Sequence, residues 1–280
     1  MKYMKLNNGL EMPMLGYGVF KVEEGKEGVD CVKTAIEAGY RSIDTAAAYG
    51  NEKSVGLGIK ESGVPREEIF ITTKLWNEVQ RTGNVEKAFE ESLNNLGTDY
   101  VDLYLIHWPV KGRFVDSWLE LEKIYKSGRA KAIGISNFHA CHIEDIKKVW
   151  SVVPAMNQIE LHPRLTQKPL LELCRKENIA PESWSPLGGT IWSDGGLRDS
   201  LLENEVLKSI GEKHGKSAAQ VILRWNIQLD IVTIPKSVTP SRIKDNINIF
   251  DFSLSADEIA AIDALNQDKR VGPDPENFNF

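Results

Sequence analysis

Residues 101–107 read VDLYLIH, a short apolar run that ends on a histidine. The same plan recurs along the chain. RSID closes on Asp44, IFITTK on Lys74, AIGISN on Ser136-Asn137 and DIVTIPKS on Lys236-Ser237, while Gln158 sits inside AMNQIEL. Apolar runs of this length, bounded by polar residues, read as buried parallel strands. Strands are expected near 15–18, 42–44, 69–73, 101–106, 132–135, 156–160, 179–183 and 231–234. Most strand ends lie roughly 25 to 33 residues apart, about one βα unit. Strands alternating with helices in this number favour α/β, a (β/α)8 TIM barrel, over an open sheet. A barrel's active site lies at the C-terminal ends of its strands, so the closing residues would share one mouth.

Helical patterns fill the gaps. Gly28–Ala38 carries Val32, Ala35 and Ile36 on one face and stops at Gly39, a good C-terminal cap. Asn84–Leu96, Phe114–Lys126, Ile143–Trp150, Pro169–Glu177 and Ser217–Gln228 repeat the idea, and Ser255 to Glu258 is a capping box ahead of Ile259. The start predicts a short N-terminal β-hairpin, Tyr3–Leu6 with Leu10–Met12 about Asn7-Asn8-Gly9, able to plug the barrel bottom. Two stretches exceed simple connectors: Leu187 to Leu202 and the tail after Asn266. Such loops often cover sites, and Phe278 and Phe280 argue against a purely solvated tail.

No linker or low-complexity tract divides the 280 residues, so 1–280 is expected to be a single barrel domain. Hydrophobic content of 41% and charged content of 26% are those of a soluble globular protein. A net charge of −6 argues against nucleic acid or an anionic membrane as main partner. Cys31, Cys141 and Cys174 are widely separated and suggest no disulfide framework, which fits a reducing compartment. The N-terminus has no apolar signal core and no run reaches membrane-spanning length, so a cytoplasmic protein is expected.

Two familiar nucleotide motifs are missing. Gly16-Tyr-Gly18 and Gly56-Leu-Gly58 lack the third glycine of the dinucleotide fingerprint, and there is no Walker A sequence. His139, Cys141 and His142 cluster at a helix start without a second ligand group, so no metal is expected.

Seven stretches in order, GYRSIDTAAAYGNEKSVG, ITTKLW, VDLYLIHWP, GISNF, NQIELHP, SWSPLG and IPKSVTPSRIKDN, resemble the aldo-keto reductase family across essentially the whole chain. The likeness is to bacterial members of the type that includes 2,5-diketo-gluconate, glyoxal and methylglyoxal reductases. It implies a catalytic tetrad at Asp44, Tyr49, Lys74 and His107. Taken singly, Asp44 reads equally as a helix cap, Lys74 as a solvated strand end, Tyr49 as filler and His107 as a core histidine. Together they suit carbonyl reduction. Hydride arriving at carbon leaves negative charge on oxygen, which needs a proton donor and fixed dipoles. A free tyrosine has a pKa near 10, and a neighbouring ammonium would lower it. Asp44 would hold Lys74, and His107 would orient the substrate oxygen.

The resemblance also implies a nicotinamide cofactor. Ser136, Asn137 and Gln158 match residues that bind the carboxamide, Trp184 the ring that stacks on the nicotinamide, and Ser185, Leu187 and Gly188 the pyrophosphate loop. Lys236, Ser237, Val238, Arg242 and Asn246 match the grip on the adenosine end and its extra phosphate, which selects NADPH. Tyr17, Phe20, Trp76 and Trp108 are the expected pocket walls. Three residues depart from the family pattern: Phe20 replaces a frequent tryptophan, Asp245 a glutamate or glutamine, and Pro181 interrupts a strand run.

The expectation is a monomeric NADPH-dependent enzyme that reduces small aldehydes or ketones. Two other readings remain: a cofactor-binding regulatory barrel with little turnover, and an unrelated phosphate-binding barrel such as an isomerase.

Overall fold

A computed structural model describes residues 1–189 and 201–278 of the chain. It opens with an antiparallel hairpin, β1 (Tyr3–Lys5) and β2 (Glu11–Pro13), in which Met4 faces Met12. Gly9 makes the turn at φ +89°, a backbone region that a side chain disfavours. The flanking asparagines tie the hairpin down: Asn7 Nδ2 donates to the Pro154 carbonyl at 2.9 Å, and Asn8 Nδ2 to that of Lys131 at 2.9 Å. Leu6 and Met12 share an apolar cluster with Phe70, Leu103, Leu105 and Met156. The hairpin therefore closes one end of the sheet that follows.

That sheet has eight parallel strands: β3 (Tyr17–Gly18), β4 (Ser42–Asp44), β5 (Phe70–Leu75), β6 (Val101–Ile106), β7 (Ala130–Ser136), β8 (Met156–Glu160), β9 (Ala180–Trp184) and β10 (Val232–Thr233). Each pairs with the next in sequence, and the ends meet. Gly16 N–H donates to the Thr233 carbonyl at 3.0 Å, and Thr233 N–H to that of Met14 at 2.9 Å. The fold is a (β/α)8 barrel. A Cβ on Gly16 would lie 3.0 Å from Ile234, so glycine lets the closing strands approach.

β4, β6 and β8 match their expected bounds, β5 is one residue longer and β7 three, β9 is shifted by one residue, and β3 and β10 are two residues shorter. β9 continues through Pro181 for a reason visible in its ladder. Ala180 N–H points to Ala155 on the β8 side, so the next N–H would face β10, whose pairing starts only at Glu182. The missing donor therefore costs no ladder bond.

Helices cover the outside, and Trp118, Phe89 and Phe138 are buried in the layer between. Among the described residues, the helices Glu52–Ser62, Asn77–Thr82 and Glu205–His214 were not singled out from sequence. The first explains one of the glycine pairs. A Cβ on Gly56 would stand 2.1 Å from the Leu96 carbonyl oxygen, and one on Gly58 2.8 Å from Val32. These glycines let three helices pack closely. Within the long loop expected at 187–202, residues 190–200 lie outside the described residues, as does Phe280. Among the described residues, no helix is long and apolar enough to cross a membrane.

Candidate active site

Parallel pairing of β4, β5 and β6 brings Asp44, Lys74 and His107 to one end of the barrel. Lys74 is wholly buried, and its Nζ donates to Asp44 Oδ1 at 2.7 Å, to the Thr45 carbonyl at 2.8 Å and to Tyr49 Oη at 3.4 Å. Tyr49 ends a short 3-10 turn, Ala47–Tyr49, which Gly50 closes in the left-handed region. Its ring meets Phe20 at 4.8 Å and His107 edge-on at 5.6 Å between centroids.

The surroundings set the charge of each group. Burial pushes the Tyr49 phenol up; Lys74 pulls it down, and Asp44 pushes it up again, for a net rise above its ordinary value. The lowering expected from sequence is present as one contribution and is outweighed. Tyr49 is thus held protonated, as a donor must be. Burial alone would pull Lys74 down, but Asp44, Tyr49 and Glu182 together hold it above its ordinary value. Burial and then the Lys74 charge depress His107 far below 6.5, so its imidazole is neutral.

The polar ends of β7, β8 and β9 form the next part. Ser136 Oγ donates to the Gln158 carbonyl at 2.9 Å. Asn137, at φ +64°, donates from Nδ2 to the His107 carbonyl at 2.9 Å and accepts from Trp184 Nε1 at 2.8 Å. One asparagine thereby fixes both the histidine loop and the tryptophan ring. Gln158 Nε2 donates to Asp44 Oδ2 at 2.7 Å and to Glu182 Oε2 at 2.8 Å.

These residues open onto a cavity of about 380 Å3. Phe20, Tyr49, Trp76, His107 and Trp108 line it together with Ser136, Asn137, Gln158 and Trp184. Ser185, Leu187, Lys236, Ser237, Val238 and Arg242 line the same cavity. The lining combines aromatic walls, convergent polar groups and two basic side chains, which suits a polar ligand that carries an anionic group.

Residues 14–267 match the model of the aldo/keto reductase family. This chain is an aldo-keto reductase. It is 55% identical over 277 residues to the glyoxal reductase of Bacillus subtilis, covering 99% of this chain and 97% of that one. An aldo/keto reductase crystal structure from Brucella melitensis superposes with a TM-score of 0.88 at 49% identity, covering 94% and 99% of the two chains. A mutant of Gox0644 in complex with NADPH superposes with a TM-score of 0.92 at 41% identity, covering 100% and 99%.

Three residues expected at the site, Tyr17, Gly188 and Asn246, are not among those that line the cavity. Tyr17 does not line the cavity. Gly16 and Gly18 face the barrel interior on either side of it, so Tyr17 turns outward beneath the helices, against Tyr40. Its hydroxyl donates to the Ser237 carbonyl at 2.6 Å, supporting that loop from below. Asn246 is buried on the Pro240–Ile247 helix, and Gly188 falls in sequence between the lining residues Leu187 and Gly189; neither Asn246 nor Gly188 is itself in the lining. Asp245 is likewise outside the lining.

Sequence reasoning missed other residues. Lys21, Pro186, Ile234, Pro235 and Thr239 also line the cavity. Glu182 is completely buried inside the barrel, and the signal for it was an acid within an apolar strand run, IAPESW. The tail is docked over this end. Glu160 accepts from the Val271 and Gly272 amides at 2.6 and 3.0 Å, and Phe278 packs on Trp108 at 4.3 Å. His139 is bonded to Glu276 at 2.8 Å and to Arg270 at 2.9 Å. Among the described residues no group of three or more His, Cys, Asp or Glu is arranged to hold a metal.

Proposed function

We propose that this reductase uses NADPH to convert small aldehydes and ketones, dicarbonyls of the glyoxal class among them, to alcohols, with Tyr49 as proton donor. The observation that carries the reading is the Lys74–Tyr49 contact at 3.4 Å on the wall of a cavity that continues to Lys236 and Arg242. The glyoxal reductase relative and the NADPH complex of the structural relative support substrate class and cofactor.

The donor set fits the cofactor. Trp184 offers a ring held by Asn137, and Ser136, Asn137 and Gln158 are assigned to the carboxamide. Ser185, Leu187 and Gly188 are assigned to the pyrophosphate. Lys236, Ser237, Val238 and Arg242 are assigned to the adenosine end, with Asn246 buried behind them. A basic pair in the lining of the cavity suits a phosphate. When bound, the nicotinamide supplies a hydride to the carbonyl carbon.

This chain's residues handle the oxygen. Tyr49 gives its proton to the oxygen as negative charge develops there. Lys74 stabilises the negative charge left on the phenol, and Asp44 holds Lys74. Neutral His107 donates to the same oxygen and orients it. Phe20, Trp76 and Trp108 are the walls that exclude water from the reacting carbonyl. We take residues 1–280 as a single catalytic domain, a reading supported by the family match through residue 267 and by the tail's bonds to Glu160.

NADPH absorbance with a panel of dicarbonyls, aldehydes and ketones tests the proposal. Steady consumption with the dicarbonyls is expected. NADPH binding with no turnover on any carbonyl would favour the regulatory barrel instead.

A further inference from the structure

The barrel interior carries a second acid that the roles above leave unused. Glu182, on β9, is completely buried, and its Oε2 accepts from Gln158 Nε2 at 2.8 Å. The other hydrogen of the same amide goes to Asp44 Oδ2 at 2.7 Å. One side-chain amide thus bridges two carboxyl groups carried by β4 and β9, which are not neighbours in the barrel. Glu182 Oε1 is buried with no partner among the described residues. An acid placed this way does not serve packing, because an apolar side chain would fill the space without a desolvation cost.

We propose that Glu182 is a positioning residue for the reductase reaction, which fixes Asp44 through Gln158 and governs, by its own charge, how readily Tyr49 releases its proton. The proposal rests on the reading of Tyr49 as donor. Asp44 on β4, Lys74 on β5 and Tyr49 above them are the ionisable groups that share its surroundings. β10, paired on its other side, contributes only Val232 and Thr233. On β8, Glu160 is engaged by His162 and by the tail amides.

Two states follow. Burial, and then the negative charge of Asp44, push Glu182 up to about 8, with Gln158 and Lys74 pulling the other way. Below that pH the interior holds one anion and one cation, Asp44 and Lys74. Above it a second anion appears, which raises both Tyr49 and Lys74. A phenol that must acquire negative charge as it protonates the alkoxide is hindered by that anion.

Glu182→Gln keeps an acceptor for Gln158 and removes the titrating group. Tyr49 ionisation is read by tyrosinate absorbance, with Tyr49→Phe as the subtracted background and no cofactor present. We expect the Tyr49 titration to move down by about one pH unit in Glu182→Gln, a tenfold change. An unmoved titration overturns the proposal, whatever the enzyme turns over. In the unsubstituted enzyme kcat for reduction should fall about tenfold across a step near pH 8, and Glu182→Gln should lose that step. A step that survives the substitution, or a flat unsubstituted profile between about pH 7 and 9, also overturns it. Turnover that is absent at every pH counts instead against the functional reading.

Discussion

The Lys74 ammonium stands 2.7 Å from the Asp44 carboxylate, and the lysine is shut away from solvent. A buried pair of this kind is a poor source of stability. Its desolvation cost offsets much of the attraction, and removing one partner leaves the other charge stranded. The pair makes sense as a device that places a fixed positive charge beside Tyr49.

Lys74→Met therefore carries two effects. It strands Asp44 in the interior, which should cost about 3–5 kcal/mol in denaturant unfolding. On the proposed mechanism it also removes the charge that would steady a Tyr49 phenolate, and we expect kcat to fall by at least about a hundredfold. A folded variant of unchanged stability and kcat would show that the pair has neither role.

Gly56→Ala tests the packing of the outer layer. The added Cβ would sit 2.1 Å from the Leu96 carbonyl, a backbone atom that cannot turn aside. The two helices must separate, and we expect a loss of about 1–3 kcal/mol of stability by thermal unfolding. A variant as stable as the parent would mean that the helices are not in such close contact.

Much of the architecture was legible in the sequence. β4, β6 and β8 fall within their expected bounds because each is an apolar run closed by a polar residue that changes the chain's direction. Glu52–Ser62 escaped notice because the side facing its neighbours is made partly of glycines, which give no apolar stripe. The convergence of Asp44, Lys74 and His107 followed from strand ends, whereas Tyr49, on the turn after β4, was expected there only from the family resemblance. Tyr17 was misplaced because β3 is only two residues long, and so short a run gives no period from which to read its inward face. Glu182 went unnoticed because a lone acid in a strand says nothing of its partners until Gln158 and Asp44 are brought beside it.

His107 makes stability depend on pH in a definite direction. Its folded-state value is depressed below the ordinary 6.5, so the stabilisation is complete above 6.5. It is lost as pH falls toward the depressed value, because the unfolded chain takes the proton first. The loss should approach about 1.4 kcal/mol per pH unit. Denaturant unfolding at about pH 7 and pH 5 should show a smaller decline for His107→Gln than for the parent. Equal declines would mean that His107 accepts a proton as readily folded as unfolded.

Arg242→Ala addresses cofactor choice. NADPH carries one phosphate more than NADH, and charge-assisted contacts to it are each worth about 1.5–3 kcal/mol. We expect NADPH affinity to drop at least about tenfold by fluorescence titration, with NADH affinity nearly unchanged. An equal loss for both cofactors would place Arg242 away from that phosphate.

Tyr49→Phe keeps the ring against Phe20 and His107 and removes only the acidic proton. The central claim is that this proton reaches the carbonyl oxygen. The direct measurement is single-turnover reduction of a glyoxal-class dicarbonyl, followed by NADPH absorbance with the variant's cofactor site saturated. NADPH affinity close to the parent's and a rate lower by about a thousandfold or more are expected. A rate within a few-fold of the parent's would contradict it.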